Sequence, residues 1–125
     1  MILVDTSVWI DHLRSTEADL VHLLEIGQVY SHPFIVGELA LGNLRQRDTI
    51  LTALTDLPEA VTATNNEVLR LIKSQGLAGR GIGFIDAHLI ASVKLTGGMS
   101  LWTRDKRLRN VSEELKMSFE PSALR

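Results

Sequence analysis

The feature that most constrains this chain is Ile2-Leu-Val4, a short apolar run without alternation that stops at Asp5. A strand with one wet face alternates apolar and polar residues, so an unbroken run suits a strand buried on both faces of a sheet. Met99-Ser-Leu-Trp102, after the Gly97-Gly98 turn, reads as a second buried strand. Helical segments fill the space between. Residues 7–13 put Val8, Trp9, His12 and Leu13 on one side, with Thr6 available as a cap. Thr16-Glu17-Ala18-Asp19 opens a second helix with acids in its first turn, a buried stripe of Leu20, Leu23 and Leu24, and Gly27 as its stop. A strand is expected at 28–31, a helix from Pro33 to about Gly42-Asn43, a helix over 47–57 and a strand over 59–64. Asn65 or Asn66 then caps a helix through Gln75, and 76–83 reads as a loop. Residues 84–95 are apolar nearly all round a helix, which predicts a central one, and a polar helix from Thr103 to about Leu115 precedes a last strand over 117–119. Strands separated by helices imply right-handed crossovers. The expected fold class is therefore α/β, a single domain over 1–125 with a central, largely parallel sheet flanked by helices on both faces.

Composition narrows the function classes. The chain has no cysteine, which removes thiol nucleophiles and zinc-cysteine knuckles, and its 125 residues can close a core without disulfides. Its N-terminus lacks a basic leader segment, and its longest apolar stretch is broken by Asp86 and His88, so the expectation is a cytoplasmic protein that neither carries a signal peptide nor spans a membrane. Two Trp, one Tyr and three Phe are too few for a base-stacking platform. The net charge of −2 hides an asymmetry: residues 1–67 carry 3 basic and 10 acidic side chains, and residues 68–125 carry 10 basic and 5 acidic. Such a split gives a basic face unless folding intermixes the halves.

Sites in parallel α/β folds gather at the carboxyl ends of the strands, which is where Asp5 and Asp105 fall. An Asp between strand and helix is equally an ordinary N-cap, and Asp105 is equally a first-turn acid. Glu38 sits in Phe34-Ile-Val-Gly-Glu38-Leu-Ala-Leu-Gly42, a helix that shows no obvious solvated face; a lone helical Glu more often faces solvent, but an acid buried in such a run is more often paired or metal-bound. Asp86 repeats the pattern in Ile82-Gly-Phe-Ile-Asp86-Ala-His-Leu-Ile-Ala91. Four carboxylates brought together repel one another, and a hard divalent cation resolves that conflict. Oxygen ligands without His or Cys suit Mg²⁺ or Mn²⁺, and such an ion fits phosphoryl chemistry.

Met1-Ile-Leu-Val-Asp5-Thr-Ser-Val-Trp-Ile, the embedded Glu38, Phe84-Ile-Asp86-Ala-His-Leu-Ile-Ala and Leu101-Trp-Thr-Arg-Asp105 resemble the four acidic motifs of PIN-domain ribonucleases, most closely the VapC-type toxins of toxin–antitoxin pairs. The resemblance spans the whole chain in motif order. It implies that Asp5, Glu38, Asp86 and Asp105 are catalytic and hold Mg²⁺ or Mn²⁺, with Thr6, Ser7 and Thr103 as supporting hydroxyls. The reaction implied is hydrolysis of RNA by an activated water, leaving a 5′-phosphate. Many relatives carry a further acid one turn after the fourth, where this chain has Lys106, Arg107 and Leu108, which leaves the number of metal ions open. Arg80, Arg104, Lys106, Arg107 and Arg109 are the candidate contacts for RNA phosphates. The implied partners are a VapB-like antitoxin and a second copy of the chain. Leu20, Leu24, Phe34, Leu41 and Leu51 offer an apolar groove for the antitoxin.

Other readings fit less well. A haloacid-dehalogenase-like phosphatase needs a second Asp two residues after the first, where this chain has Ser7. A phosphorelay receiver needs paired acids near the first strand. The remaining alternative is a PIN nuclease of general RNA processing that works without an antitoxin.

Overall fold

Ile2–Val4 forms β1, the middle strand of a three-stranded parallel sheet in the order β2-β1-β3, with β2 at Val29–Tyr30 and β3 at Ser100–Trp102. The structure, a computed structural model, describes residues 1–121. The register sets Ile2 beside Val29 on one side and Ser100 on the other, and Val4 beside Trp102. Leu3, Val4 and Leu101 are fully buried, as the unalternated runs require. Each such side chain contributes roughly 1.5–3 kcal/mol by leaving water.

Helices α1 (Thr6–Arg14), α2 (Ala18–Glu25), α3 (Pro33–Ala40) and α4 (Arg47–Thr55) follow the first strands as expected from the sequence. Then come α5 (Asn65–Ser74), α6 (Phe84–Thr96) and α7 (Lys106–Glu114). Helix α6 is the central one: Ala87 through Val93 are buried without interruption, and it packs against α5 and β3. Together the helices cover both faces of the sheet, so the α/β class holds. Within the α2–α4 surface, Leu20 is fully buried in the core while Leu41 is 90% exposed, and Leu24 and Leu51 pack against the core's edge. Those leucines therefore do not form one groove.

The structure corrects two expected strands. Residues 59–64 supply only a single bridge, Ser31 to Glu59, because the amides that would continue the ladder are used elsewhere. The Val61 N–H donates to Thr96 Oγ1, and the Thr64 N–H donates to the Glu67 carboxylate. Residues 117–119 likewise give one bridge, at Ser118, entered through Lys116 in the left-handed region at φ 58°. Helix ends shift for related reasons. Thr64, rather than Asn65 or Asn66, caps α5 through a reciprocal pair with Glu67. Asp105 occupies the N-cap of α7, and Asp5, not Thr6, that of α1. One glycine is required by its surroundings: Gly81 has φ 81°, and a Cβ there would lie 2.7 Å from Cδ of Arg107.

Candidate active site

Adjacent parallel strands end together, so β1 and β3 deliver Asp5 and Asp105 to one edge of the sheet. Helix α3, entered from β2, brings Glu38, and the first turn of α6 brings Asp86. Asp5 is 7% exposed and, although it stands at the N-cap of α1, its side chain makes no cap. Instead Oδ2 accepts from the hydroxyls of Ser7 and Thr103, both at 2.8 Å. The Thr103 Oγ1 also accepts the Asp105 N–H at 3.1 Å, which joins the ends of β1 and β3 through one hydroxyl. Thr6 donates to Glu38 Oε1 at 2.8 Å. Asp86 Oδ2 accepts the Gly83 N–H at 3.2 Å, and Asp105 Oδ1 caps α7 by accepting the Leu108 N–H at 2.9 Å.

Of the two readings open for Glu38, the structure gives the solvent-facing one: it is exposed. Only Ile35 and Leu39 of α3 are buried, so the helix does have a solvated face and Glu38 lies on it. The four acids nonetheless share one electrostatic field. The Asp86 carboxyl is pushed up, first by burial and then by the charges of Asp5, Asp105 and Glu38, against the lowering effect of the Gly83 N–H. Among the described residues no Lys or Arg forms an ion pair with any of the four. An uncompensated set of oxygen donors fits a hard divalent cation. It is not a finished cage, since no three of the described acids converge at ligand spacing. Thr6 and the amides of Gly83 and Leu108 each hold one carboxylate apart.

The basic candidates divide. Lys106, Arg107 and Arg109 are exposed on α7, which starts beside Asp105. Arg80 pairs with Glu114 at 2.8 Å. Arg104 is committed elsewhere, its Nη1 at 2.6 Å from Asp11 and its Nη2 at 2.8 Å from Glu17. Those two acids were not singled out from the sequence. The acidic first half and basic second half of the chain gave a hint, and here Arg104 of the second half pairs with two acids of the first. His32 and His88 are buried, consistent with packing roles.

The junction at Thr103 makes a direct prediction. Thr103→Val keeps shape but removes one of the two donors to Asp5 Oδ2, leaving Ser7, and the acceptor for the Asp105 N–H, and a hydrogen bond to a charged group contributes roughly 1.5–3 kcal/mol. Urea unfolding of metal-free protein is expected to show a loss in that range. A midpoint equal to the wild type would mean that the hydroxyl bridge contributes nothing.

The family model described as PIN domain matches residues 2–114. The chain is 52% identical over 114 residues to Ribonuclease VapC32 of Mycobacterium tuberculosis, in strains CDC 1551 / Oshkosh and H37Rv alike, covering 91% of this chain and 92% of the relative. Among solved structures, PAE2754 from Pyrobaculum aerophilum superposes with a TM-score of 0.58 at 20% identity, covering 90% of this chain and 79% of that one. That last likeness concerns the fold alone.

Proposed function

The chain belongs to the PIN-domain family, in its VapC branch, and from that premise we propose that it is a metal-dependent endoribonuclease, the toxin of a type II toxin–antitoxin pair. The observation that carries the reading is the gathering of Asp5 and Asp105 at one edge of the sheet with Glu38 and Asp86 beside them, where burial first and then the other three charges push the Asp86 carboxyl up. In this reading the four acids hold Mg²⁺ or Mn²⁺. Bound there, the ion neutralises phosphate oxygens, activates water and stabilises the leaving oxygen. The chain's own residues prepare the site. Ser7 and Thr103 both engage Oδ2 of Asp5, and Thr6 engages Oε1 of Glu38, so each of these two carboxylates is held in place at one oxygen. Lys106, Arg107 and Arg109 take phosphates beside the cut. The water oxygen joins phosphorus and the bond to the 3′ oxygen breaks, leaving a 5′-phosphate and a 3′-hydroxyl.

The partner reading rests on a groove of about 620 Å³ along α1, α3 and α4 that includes Glu38. Ile10 and Leu13 are 41% and 38% exposed, an apolar wall of the kind a partner helix covers. An antitoxin tail lying there reaches the acids with an Arg, which pairs bidentately with carboxylates and replaces the metal. A homodimer acting on RNA in the cytoplasm completes the proposal. Among the described residues no helix is long and apolar enough to cross a membrane.

The test combines binding, cleavage and growth. Mn²⁺ is expected to raise the melting temperature of the wild type and much less that of Asp5→Asn, and RNA cleavage is expected to vanish in EDTA. Equal thermal shifts in both proteins would remove the site. Expression alone should slow growth and coexpression with the neighbouring short gene should restore it. Verified cleavage by a harmless protein would point instead to general RNA processing.

A further inference from the structure

Between Thr103 and Asp105 stands Arg104, whose side chain turns toward α1 and the turn that follows it. Its Nη1 lies 2.6 Å from Asp11 Oδ2 and its Nη2 lies 2.8 Å from Glu17 Oε1. The guanidinium carbon sits 5.8 Å from the centroid of the Trp102 ring. Its backbone N–H donates to Ser7 Oγ at 3.0 Å, and the Ser7 hydroxyl donates in turn to Asp5 Oδ2 at 2.8 Å. A guanidinium with both ends on carboxylates and its face on an indole has little left for a phosphate.

We infer that Arg104 is a positioning residue, which fixes Asp5 and Asp105 relative to each other by anchoring the β3–α7 junction to α1 and the start of α2, and is not an RNA contact. The inference rests on the metal-nuclease reading of the four acids. The anchor acts at both ends of the site. Through Asp11 and Glu17 it holds the segment on which Thr103 and Asp105 stand, and through its own amide it fixes the hydroxyl that orients Asp5. The three charged side chains are 31%, 45% and 29% exposed, so the pairs add little to overall stability. Their effect belongs to geometry.

The experiment measures Mn²⁺ affinity by calorimetry and the salt dependence of RNA binding in EDTA, for wild type, Arg104→Ala and Arg104→Lys, with circular dichroism checking the fold. Removing a cation near acids strengthens Mn²⁺ binding by charge alone, so a loss isolates positioning. Both variants are expected to bind Mn²⁺ roughly 10-fold more weakly, the lower end of losses seen when an outer-shell partner is removed, because Lys cannot span two carboxylates. The salt slope is expected to stay at the wild-type value in both. The inference is overturned if Mn²⁺ affinity is unchanged or higher in Arg104→Ala while its salt slope falls by about 1 and Arg104→Lys keeps the slope, the signature of a phosphate contact. A wild type that binds no Mn²⁺ overturns the metal reading itself, and this inference with it. A wild type that binds, beside variants that bind equally well, overturns the inference alone.

Discussion

Asp86→Asn is expected to lower RNA cleavage by more than about 100-fold while raising the melting temperature of the metal-free protein. The two effects have one source. Asp86 sits half-buried at the start of α6 with the charges of Asp5, Asp105 and Glu38 around it, and its carboxyl is pushed up by burial and by all three. Its charged form costs the metal-free fold electrostatic energy, which the amide does not. The amide oxygen still accepts the Gly83 N–H, so the start of α6 is kept. In a chain of 125 residues each 1 kcal/mol of relief corresponds to a rise of roughly 4 °C. Activity falls because a neutral amide is a poor ligand for a hard cation. Cleavage near the wild-type rate by a folded variant would take Asp86 out of the mechanism. A lowered melting temperature with activity lost would mean that Asp86 serves the fold, and that the four acids are not in conflict.

The gathering of the candidate acids was legible in part because two of them, Asp5 and Asp105, are tied to strand ends. Ile2-Leu-Val4 and Ser100-Leu-Trp102 can only be buried parallel strands, and an acid after each of two neighbouring parallel strands is delivered to the same edge. Asp86 was legible because it interrupts a helix that is otherwise core. What the sequence concealed was decided by side-chain partners that no periodicity encodes. The strand over 59–64 fails because Thr96 and Glu67, remote or local, take the amides it needs. Glu38 looked enclosed because its neighbours are apolar, yet only Ile35 and Leu39 of α3 are buried, and Glu38 itself lines the groove beside α1. Arg104 drew notice because it stands beside an acidic motif, and the partners it has in the structure, Asp11 and Glu17, lie in α1 and at the entry to α2, far away along the chain.

Between pH 6.5 and 4 the folded protein is expected to lose up to about 3 kcal/mol of stability through His32. The ring is fully buried, and its Nδ1 caps α3 by accepting the Phe34 N–H at 3.0 Å. Neutral His32 therefore carries its proton on Nε2, which has no partner among the described residues. Protonation at Nδ1 would break the cap and place a charge beside Phe34, whose ring lies 5.1 Å from that of His32 and 4.8 Å from that of His88. Burial first, and then His88, depress the imidazole to about 4. The unfolded chain takes the proton near pH 6.5 and the folded one only near 4, so between them the unfolded state binds more protons. The contribution is thus complete above pH 6.5 and is lost as pH falls through the window. His88, also lowered by burial, acts in the same direction. Asp86 acts in the opposite one, since its raised carboxyl takes a proton in the folded state first. Urea midpoints from pH 7 to 4.5 in an Asp86→Asn background isolate the histidine slope. His32→Asn, whose side-chain oxygen can still cap α3, should flatten that slope while leaving the helix in place. An NMR titration placing His32 at its ordinary value would overturn the account. Helix α3 carries Glu38, so the same protonation that loosens the cap should loosen one wall of the acidic site.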